Sequence, residues 1–380
     1  MRKTINIGDL GTIITGKTPP TTNKNYYGDY AVFIKPTDIS EHSKYTYETE
    51  EKYSKLAAEK YESSLIPKGA ICVPCIGTIG TKMTMTPCDC YTNQSINSII
   101  CNENYDNEYV YYLIKNFLPG LKAYNLGTAS GREYVSKSNF EKIELVAEQD
   151  KEIQKKIGVI LSRYDSLIEN YQKQIKLLEE TAQRLYKEWF VDLHFPGHEN
   201  TNIIDGVPEG WEKKKVGEIA PIITGKKDAN FGTPNGEYPF FTCSQEPIKA
   251  PSFSFDCAAV LLAGNGDFNV KLYRGKFEAY QRTYVLSPYC AQHLYLLYYT
   301  ISANMTKLAA GSSGSTIKFL TKGMIDGINL NIPNDEILRS FNKKVEPIQS
   351  SRESLQSQLR LLTEARDRLL PKLMSGEIEI

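Results

Sequence analysis

Residues 174–190 read QIKLLEETAQRLYKEWF, residues 358–374 read QLRLLTEARDRLLPKLM, and the two align without a gap. Outward from the first, Ile157, Leu161, Tyr164, Ile168, Tyr171, Ile175, Leu178, Ala182 and Leu185 step by four and three throughout, the spacing of a helical heptad seam. Outward from the second, Phe341, Val345, Ile348, Arg352, Leu355, Leu359, Leu362, Arg366 and Leu369 keep the same steps. Arg352 and Arg366 interrupt that seam and read as snorkelling rim residues, with apolar stems along the seam and charged heads in water. Gly158 and Pro347 lie near the helix starts and Pro371 near an end, so neither middle is broken. Each apolar stripe must be buried, and the simplest partner for each is the other. A helix from about Asp150 to Phe190 would be on the order of 60 Å long at 1.5 Å per residue. Paired antiparallel, two such helices would make a rigid spacer. The competing reading packs each helix on its own globule.

The duplication extends beyond the helices. IGDLGTIITGKT (7–18) returns as VGEIAPIITGKK (216–227), and ICVPCIGTIG (71–80) as AVLLAGNGDF (259–268). YTNQSINSIIC matches AYQRTYVLSPYC, pairing Gln94 with Gln281, and EYVYYLI resembles HLYLLYY. GTASGREYVSKSNFEKIEL resembles GSSGSTIKFLTKGMIDGINL, pairing Gly127 with Gly311. Runs rich in Tyr, Val, Ile and Thr, broken by Gly, Pro and Asn, predict short strands. Helices are expected around Glu108 to Phe117 and Gln292 to Ser302. The predicted fold is α+β: two mixed α/β globules, at 1–147 and 211–333, and two long helices, at 148–192 and 334–376, paired as an antiparallel coiled coil in a pseudo-two-fold repeat. FPGHENTNIIDGVPEGWE carries the linker, 193–210.

The 380 residues are 41% hydrophobic, enough for real cores, and carry 45 basic against 45 acidic side chains. Zero net charge does not announce nucleic acid, but only a binding face needs to be positive. Ala279 to Ile325 holds no Asp or Glu, while Arg282, Lys307, Lys318 and Lys322 fall within it. That tract is either a basic surface or a Tyr-rich core segment. No stretch approaches membrane-spanning length, and the chain is expected to be soluble and cytoplasmic. Cys72, Cys75, Cys88 and Cys90 have a spacing that could ligate zinc, but ICVPCIG reads as a buried strand entering a turn, and the repeat copy lacks the cysteines. No metal site is expected. Without an export signal, disulfides are not expected either.

Gly11 to Thr18, GTIITGKT, matches the phosphate-binding loop pattern letter for letter. Its β-branched interior reads as a strand, Pro19 and Pro20 follow where a helix should start, and the copy APIITGKK loses the first Gly and the hydroxyl residue. A strand entering a Gly-Lys turn explains both copies. No dinucleotide fingerprint, nucleophile elbow, H-E-x-x-H or amino-methyltransferase loop occurs, and no acidic cluster is repeated. A duplicated chain without duplicated chemistry favours binding over catalysis.

The segment from Glu144 to Leu193, with Glu148 and Gln149 leading into the helix and LYKEWF (185–190) near its end, resembles the central region of type I restriction–modification specificity subunits. VPEGWEKKKVGEIA (207–220) resembles that family's lead-in to its second target-recognition domain, and Gly77 to Gly80 its Gly-rich turn. The second copy departs from the pattern, with Asp335 and Glu336 where a Glu-Gln pair is expected. The resemblance implies a non-catalytic subunit that reads two DNA half-sites separated by a fixed gap, one with each globule, the helices setting the gap. It implies two methyltransferase subunits docked on the helices and possibly two restriction subunits. S-adenosylmethionine, ATP and Mg would belong to those partners, with no cofactor in this chain. Two sites read on one DNA face lie about 34 Å apart, which a stiff pair can hold and a flexible linker cannot.

Phosphate contacts need Lys, Arg and hydroxyls, and base edges are read by Arg, Lys, Asn and Gln. The candidate DNA-binding residues are therefore Lys17, Thr18, Lys226 and Lys227 in the repeated turn. Lys82, Asn265, Lys271 and Arg274 follow the Gly motif, and Arg132 and Lys318 lie in the loop after the Gly-Ser/Thr segment. Each could equally be an ordinary solvated side chain. Trp189 and Phe190 are candidates for partner docking, or else for a helix-end core. Two other functions compete: a duplicated coiled-coil scaffold that binds proteins without DNA, and a nucleotide hydrolase using Gly11 to Thr18.

Overall fold

The computed structural model describes residues 2–77, 79–127, 132–312 and 318–380. Thr78 of the Gly77 to Gly80 turn, and residues 128–131 and 313–317 of the two Gly-Ser/Thr segments, lie outside them. The chain forms two compact units, Met1–Lys173 with Leu355–Ile380, and Gln174–Ser354. Each long helix thus gives one half to each unit, where the sequence reading kept helices and globules as separate segments.

The first unit holds β1 (Arg2–Asn6), β2 (Gly11–Thr15), β3 (Tyr27–Ile34), β4 (Lys52–Tyr53), α1 (Lys55–Lys60), β5 (Ile71–Pro74), β6 (Thr84–Met85), β7 (Tyr91–Thr92), β8 (Ile96–Cys101), α2 (Asn107–Phe117), α3 (Lys137–Glu141), β9 (Glu144–Glu148) and the start of α4 (Lys151–Tyr186). Four strands form a sheet in the order β2-β8-β5-β6, β4-β3-β7 form a second, and β1 pairs with β9. Asp106 caps α2, accepting from the Tyr109 amide, and Tyr109 to Ile114 are all buried. Six successive buried residues cover every side of a helix, and this middle stretch of α2 lies in the main core with Leu161 of α4.

The second unit repeats this plan. It holds β10 (Ile203–Ile204), β11 (Val207–Pro208), β12 (Glu212–Lys215), α5 (Val216–Ile219), β13 (Ile222–Thr224), β14 (Tyr238–Phe241), β15 (Ile248–Ala250), β16 (Phe255–Ala263), β17 (Val270–Ala279), β18 (Thr283–Leu286), α6 (Leu294–Gly311), α7 (Lys322–Asp326), β19 (Asn329–Ile332) and the start of α8 (Asp335–Ser375). Its sheet runs β13-β18-β16-β17-β14-β15, and β12 pairs with β19 as β1 does with β9. Helices α2 and α6 fall where the sequence places them, although α6 continues to Gly311.

Strand register corrects the letter alignment by one residue. Ile71 faces Ile99, and the counterpart of Ile99, Leu286, faces Val260 rather than Ala259. Gly77 therefore corresponds to Gly266, not Asn265, and both have positive φ, 86° and 67°, where a side chain would be strained.

No seam residue of either long helix is exposed. Within the first unit Asp165 of α4 meets Arg366 of α8, and Arg2, at the start of β1, donates to the carbonyls of Leu373 and Met374. Within the second, Glu179 meets Arg352, and Trp189 and Phe190 pack on Phe341. The halves of the helices pair antiparallel in each unit. Arg352 and Arg366 are not rim residues as expected. Both are buried, because each finds a carboxylate beside the facing seam and needs no solvent for its head.

Candidate nucleic-acid interface

In the second unit four chain segments converge at one end of the sheet. Strand β13 ends at Thr224, and Gly225 then passes directly over the β17–β18 turn, its amide donating to the Thr283 carbonyl. A Cβ on Gly225 would stand 1.9 Å from the carbonyl oxygen of Ala279, so only glycine fits. The turn itself closes through the Thr283 amide on the Tyr280 carbonyl and puts Gln281 and Arg282 at its tip, both exposed. Past β16, the Gly264 amide donates to the Arg282 carbonyl and the Leu320 amide to the Gly264 carbonyl, while Asn265 bridges Phe319. Thr224, Gly264, Gln281, Arg282, Tyr284 and Leu320 line a cleft of about 310 Å³ there.

The first unit is built the same way. A Cβ on Gly16 would stand 2.1 Å from the Thr92 carbonyl oxygen. The Cys75 amide donates to Ser95 and the Val135 amide to Cys75, matching the bonds at Gly264 and Leu320. Ile76 bridges Tyr134 as Asn265 bridges Phe319. The Thr18 hydroxyl hydrogen-bonds the Gln94 side-chain oxygen, and Thr15 Oγ1 donates to Asn97 Oδ1 at 2.7 Å. Gly11 to Thr15 is a strand, and the Gly16 and Lys17 amides donate to Ile96 and Thr92 carbonyls. Amides so engaged cannot cradle a phosphate, which explains physically why the nucleotide-loop match is a decoy.

Of the sequence candidates, Lys17 and Thr18 stand exposed beside Gln94 at the sheet end of the first unit, and Lys226 is exposed next to Gly225 in the second. Lys227 lies with its ammonium 4.4 Å from the Phe231 ring centroid. Asn265, next to the cleft-lining Gly264, accepts from Cys243 Sγ, and exposed Lys318 precedes the bridging Phe319. Exposed Arg132 precedes Glu133, whose carbonyl receives the Gly77 amide. Lys82 is half-buried, and among the described residues nothing ties it to the cleft. Lys271 donates to the Ser244 carbonyl at 2.7 Å, so it braces the Cys243 loop rather than facing outward, and burial pulls its pKa below that of an ordinary lysine.

Two expectations need correcting. Arg274 lies on the Leu272 face of β17, where it pairs with Glu346 of α8 at 3.3 Å and with the Tyr295 hydroxyl. That is a structural ion pair away from the cleft. Trp189 and Phe190 are 4% and 6% exposed, packed with Trp211 and Phe341 inside the second unit, so they are core and not a docking surface. The sequence list omitted Gln94, Gln281, Arg282 and Tyr284. The signal was present in the pairing of Gln94 with Gln281 across the repeat. The acid-free tract proves to be both things weighed: Leu294 to Ile301 are buried core, while its four cations are exposed.

Among the described residues no group of three or more His, Cys, Asp or Glu side chains could hold a metal ion. Cys72 and Cys75 are buried, burial pushes both thiols up to about 12, and their sulfurs contact Ser98 Oγ and the Val73 carbonyl. Nor, among those residues, is any helix long and apolar enough to cross a membrane.

Residues 2–180 and 208–351 match the type I restriction modification DNA specificity domain. Among curated proteins, the type I restriction enzyme MjaIX specificity subunit of Methanocaldococcus jannaschii is 27% identical, across 98% of this chain and 93% of that one. The EcoDI specificity subunit of Escherichia coli is 37% identical over 45% of this chain and 39% of its own. The crystal structure of a type I restriction-modification S subunit from M. genitalium superposes with a TM-score of 0.65 at 16% identity, covering 98% of this chain and 96% of that one.

Proposed function

The chain belongs to the type I restriction modification DNA specificity family, and we propose that each of its units reads one half of a two-part DNA target through the cleft at its sheet end. Specificity subunits are the non-catalytic, DNA-recognising components of type I systems, so sequence recognition, not catalysis, is this chain's function. The observation that carries the two-part reading is the duplication of the turn arrangement at the sheet end, bond for bond, in both units. Gly16 and Gly225 make the same close approach to the same turn, yet after a shared glutamine one tip carries Ser95 and the other Arg282.

Exposed cations at the rims, Lys17 with Arg132 and Lys226 with Lys318, supply phosphate contacts, while the amide and guanidinium groups at the turn tips reach base edges. The specificity subunit assembles into a type I complex with DNA. Two methyltransferase subunits, and two restriction subunits where cleavage occurs, complete our reading. S-adenosylmethionine, ATP and Mg reside in those partners, and the complex works on the nucleoid. Flipping an adenine from the stack is the methyltransferase's task, aided by a subunit that grips and bends the duplex. The scaffold alternative finds no support among the chain's relatives.

The test is genome-wide mapping of N6-methyladenine in a host carrying this chain and its methyltransferase subunit, against the same host lacking the chain. A new methylated motif of two half-sites with a fixed gap is expected. Identical methylation in both hosts, with the two subunits shown to co-purify, would overturn the reading.

A further inference from the structure

The two copies act as an internal comparison of what the fold requires and what it leaves open. At the turn tip the backbone is used identically: the Ser95 carbonyl receives the Cys75 amide, and the Arg282 carbonyl receives the Gly264 amide. The preceding residue is glutamine in both copies, Gln94 and Gln281. Ser95 is half-buried, whereas Arg282 is exposed, lines the cleft, and its guanidinium makes no hydrogen bond or ion pair with another described residue. An arginine without structural work, on a tight turn between β17 and β18, is available to a ligand.

We propose that Arg282 reads a guanine in the half-site taken by the second unit, and that the first unit, with Ser95 at the same place, makes no such reading. This rests on the cleft being the DNA-reading surface. Arginine offers two parallel donors, and in the major groove only guanine presents two acceptors, O6 and N7, to match them. Phosphate contact is the competing use of a free arginine. Exposed Lys226 and Lys318 nearby already supply phosphate contacts, and a turn tight enough to close through one Thr283–Tyr280 hydrogen bond is slim enough to enter a groove. In the first unit the Gln94 oxygen is held by Thr18, which orients its amide for a different base edge.

The experiment is adenine-methylation mapping with the full chain and its methyltransferase subunit, comparing wild type, Arg282→Ala and Arg282→Gln. The wild-type motif should hold an invariant G·C pair in one half-site. Arg282→Ala should leave the other half-site and the gap unchanged while that position becomes degenerate, its roughly 10- to 100-fold discrimination falling toward one. Arg282→Gln should move the preference toward adenine, a gain that a merely misfolded variant could not give. Retention of the guanine with methylation reduced evenly at all sites in both variants would make Arg282 a phosphate contact and overturn the proposal. Absence of any new motif with wild type would instead overturn the DNA-reading cleft beneath it.

Discussion

Asp165 and Arg366 meet at 2.6 Å inside the first unit, one from each long helix and both almost fully buried. Tyr112 donates to the other carboxylate oxygen at 2.6 Å, and Lys115 stands 4.0 Å away. The second unit has the same device: Arg352 takes Glu179, with the Tyr298 hydroxyl alongside. Glu179 follows Asp165 by fourteen residues and Arg352 precedes Arg366 by fourteen, two heptads in each direction. In each unit the arginine occupies a seam position and the acid the position after the facing seam residue. A buried pair set in this way fixes antiparallel register, because any slip strands two charges in a core.

Arg366→Ala should therefore cost about 3–5 kcal/mol, as Asp165 would be left buried with Lys115 at 4.0 Å as its remaining cation and the Tyr112 hydroxyl as its one close donor. Replacing both partners, with Asp165→Leu and Arg366→Leu, should recover most of that loss. Denaturant unfolding of the two variants is the check. A single variant as stable as wild type would show the pair to be solvent-bridged.

The same pair sets an acid limit. Burial pushes the Asp165 carboxyl up, but Lys115, Arg366 and the Tyr112 hydroxyl outweigh it and hold the pKa below the ordinary value. With the folded pKa lower than the unfolded value of about 3.9, the unfolded state binds the proton more readily. The stabilisation is thus complete above about pH 4 and lost as pH falls through the lowered folded value. Asp165→Asn should flatten the fall in denaturation midpoint between neutral and acid pH. Equal acid sensitivity in variant and wild type would rule this group out as a contributor.

These acids mark where sequence reading stops. The seams were legible because heptad spacing is a one-dimensional signal, and so was the repeat. The partners of Arg352 and Arg366 were not: an acid beside a seam looks like any solvated helix residue until the facing helix is placed. Trp189 and Phe190 were ambiguous for the same reason, since an aromatic at a helix end is core or surface depending on what packs over it. Arg274 and Lys271 sit three apart on one strand, but the two-residue alternation of a strand sends them to opposite faces. The strand register settled what letters could not, moving Gly77 from Asn265 to Gly266.

Gly225→Ala should destabilise the second unit by about 1–3 kcal/mol, since its Cβ would meet the Ala279 carbonyl at 1.9 Å and backbone must move. Gly323→Ala, with nothing within 4 Å of its Cβ and a helical setting, should be neutral or stabilising by up to about 1 kcal/mol. Thermal unfolding of the pair distinguishes close approach from generic intolerance of change at glycine. Equal shifts would count against the crossing of β13 over the turn.

Lys17→Ala and Lys226→Ala should weaken DNA binding evenly across target and non-target duplexes. Each phosphate contact removed should lower the slope of log affinity against log salt by about 0.9. Fluorescence anisotropy across a salt series measures this. A change confined to the specific target, with the salt slope intact, would reassign these lysines to base reading.

Trp189→Ala should cost about 3–5 kcal/mol, as expected for an indole lost from a packed core, and should lower the melting temperature before any effect on partner binding. Two residues on, Val191 is 55% exposed, and Val191→Ala should change stability by less than about 0.5 kcal/mol. Calorimetry of both variants, with co-purification of the methyltransferase subunit from the same lysates, separates the two roles. If Trp189→Ala melts like wild type yet no longer retains the methyltransferase subunit, the indole must turn outward to meet a partner, and the packing on Phe341 would not be the state that assembles.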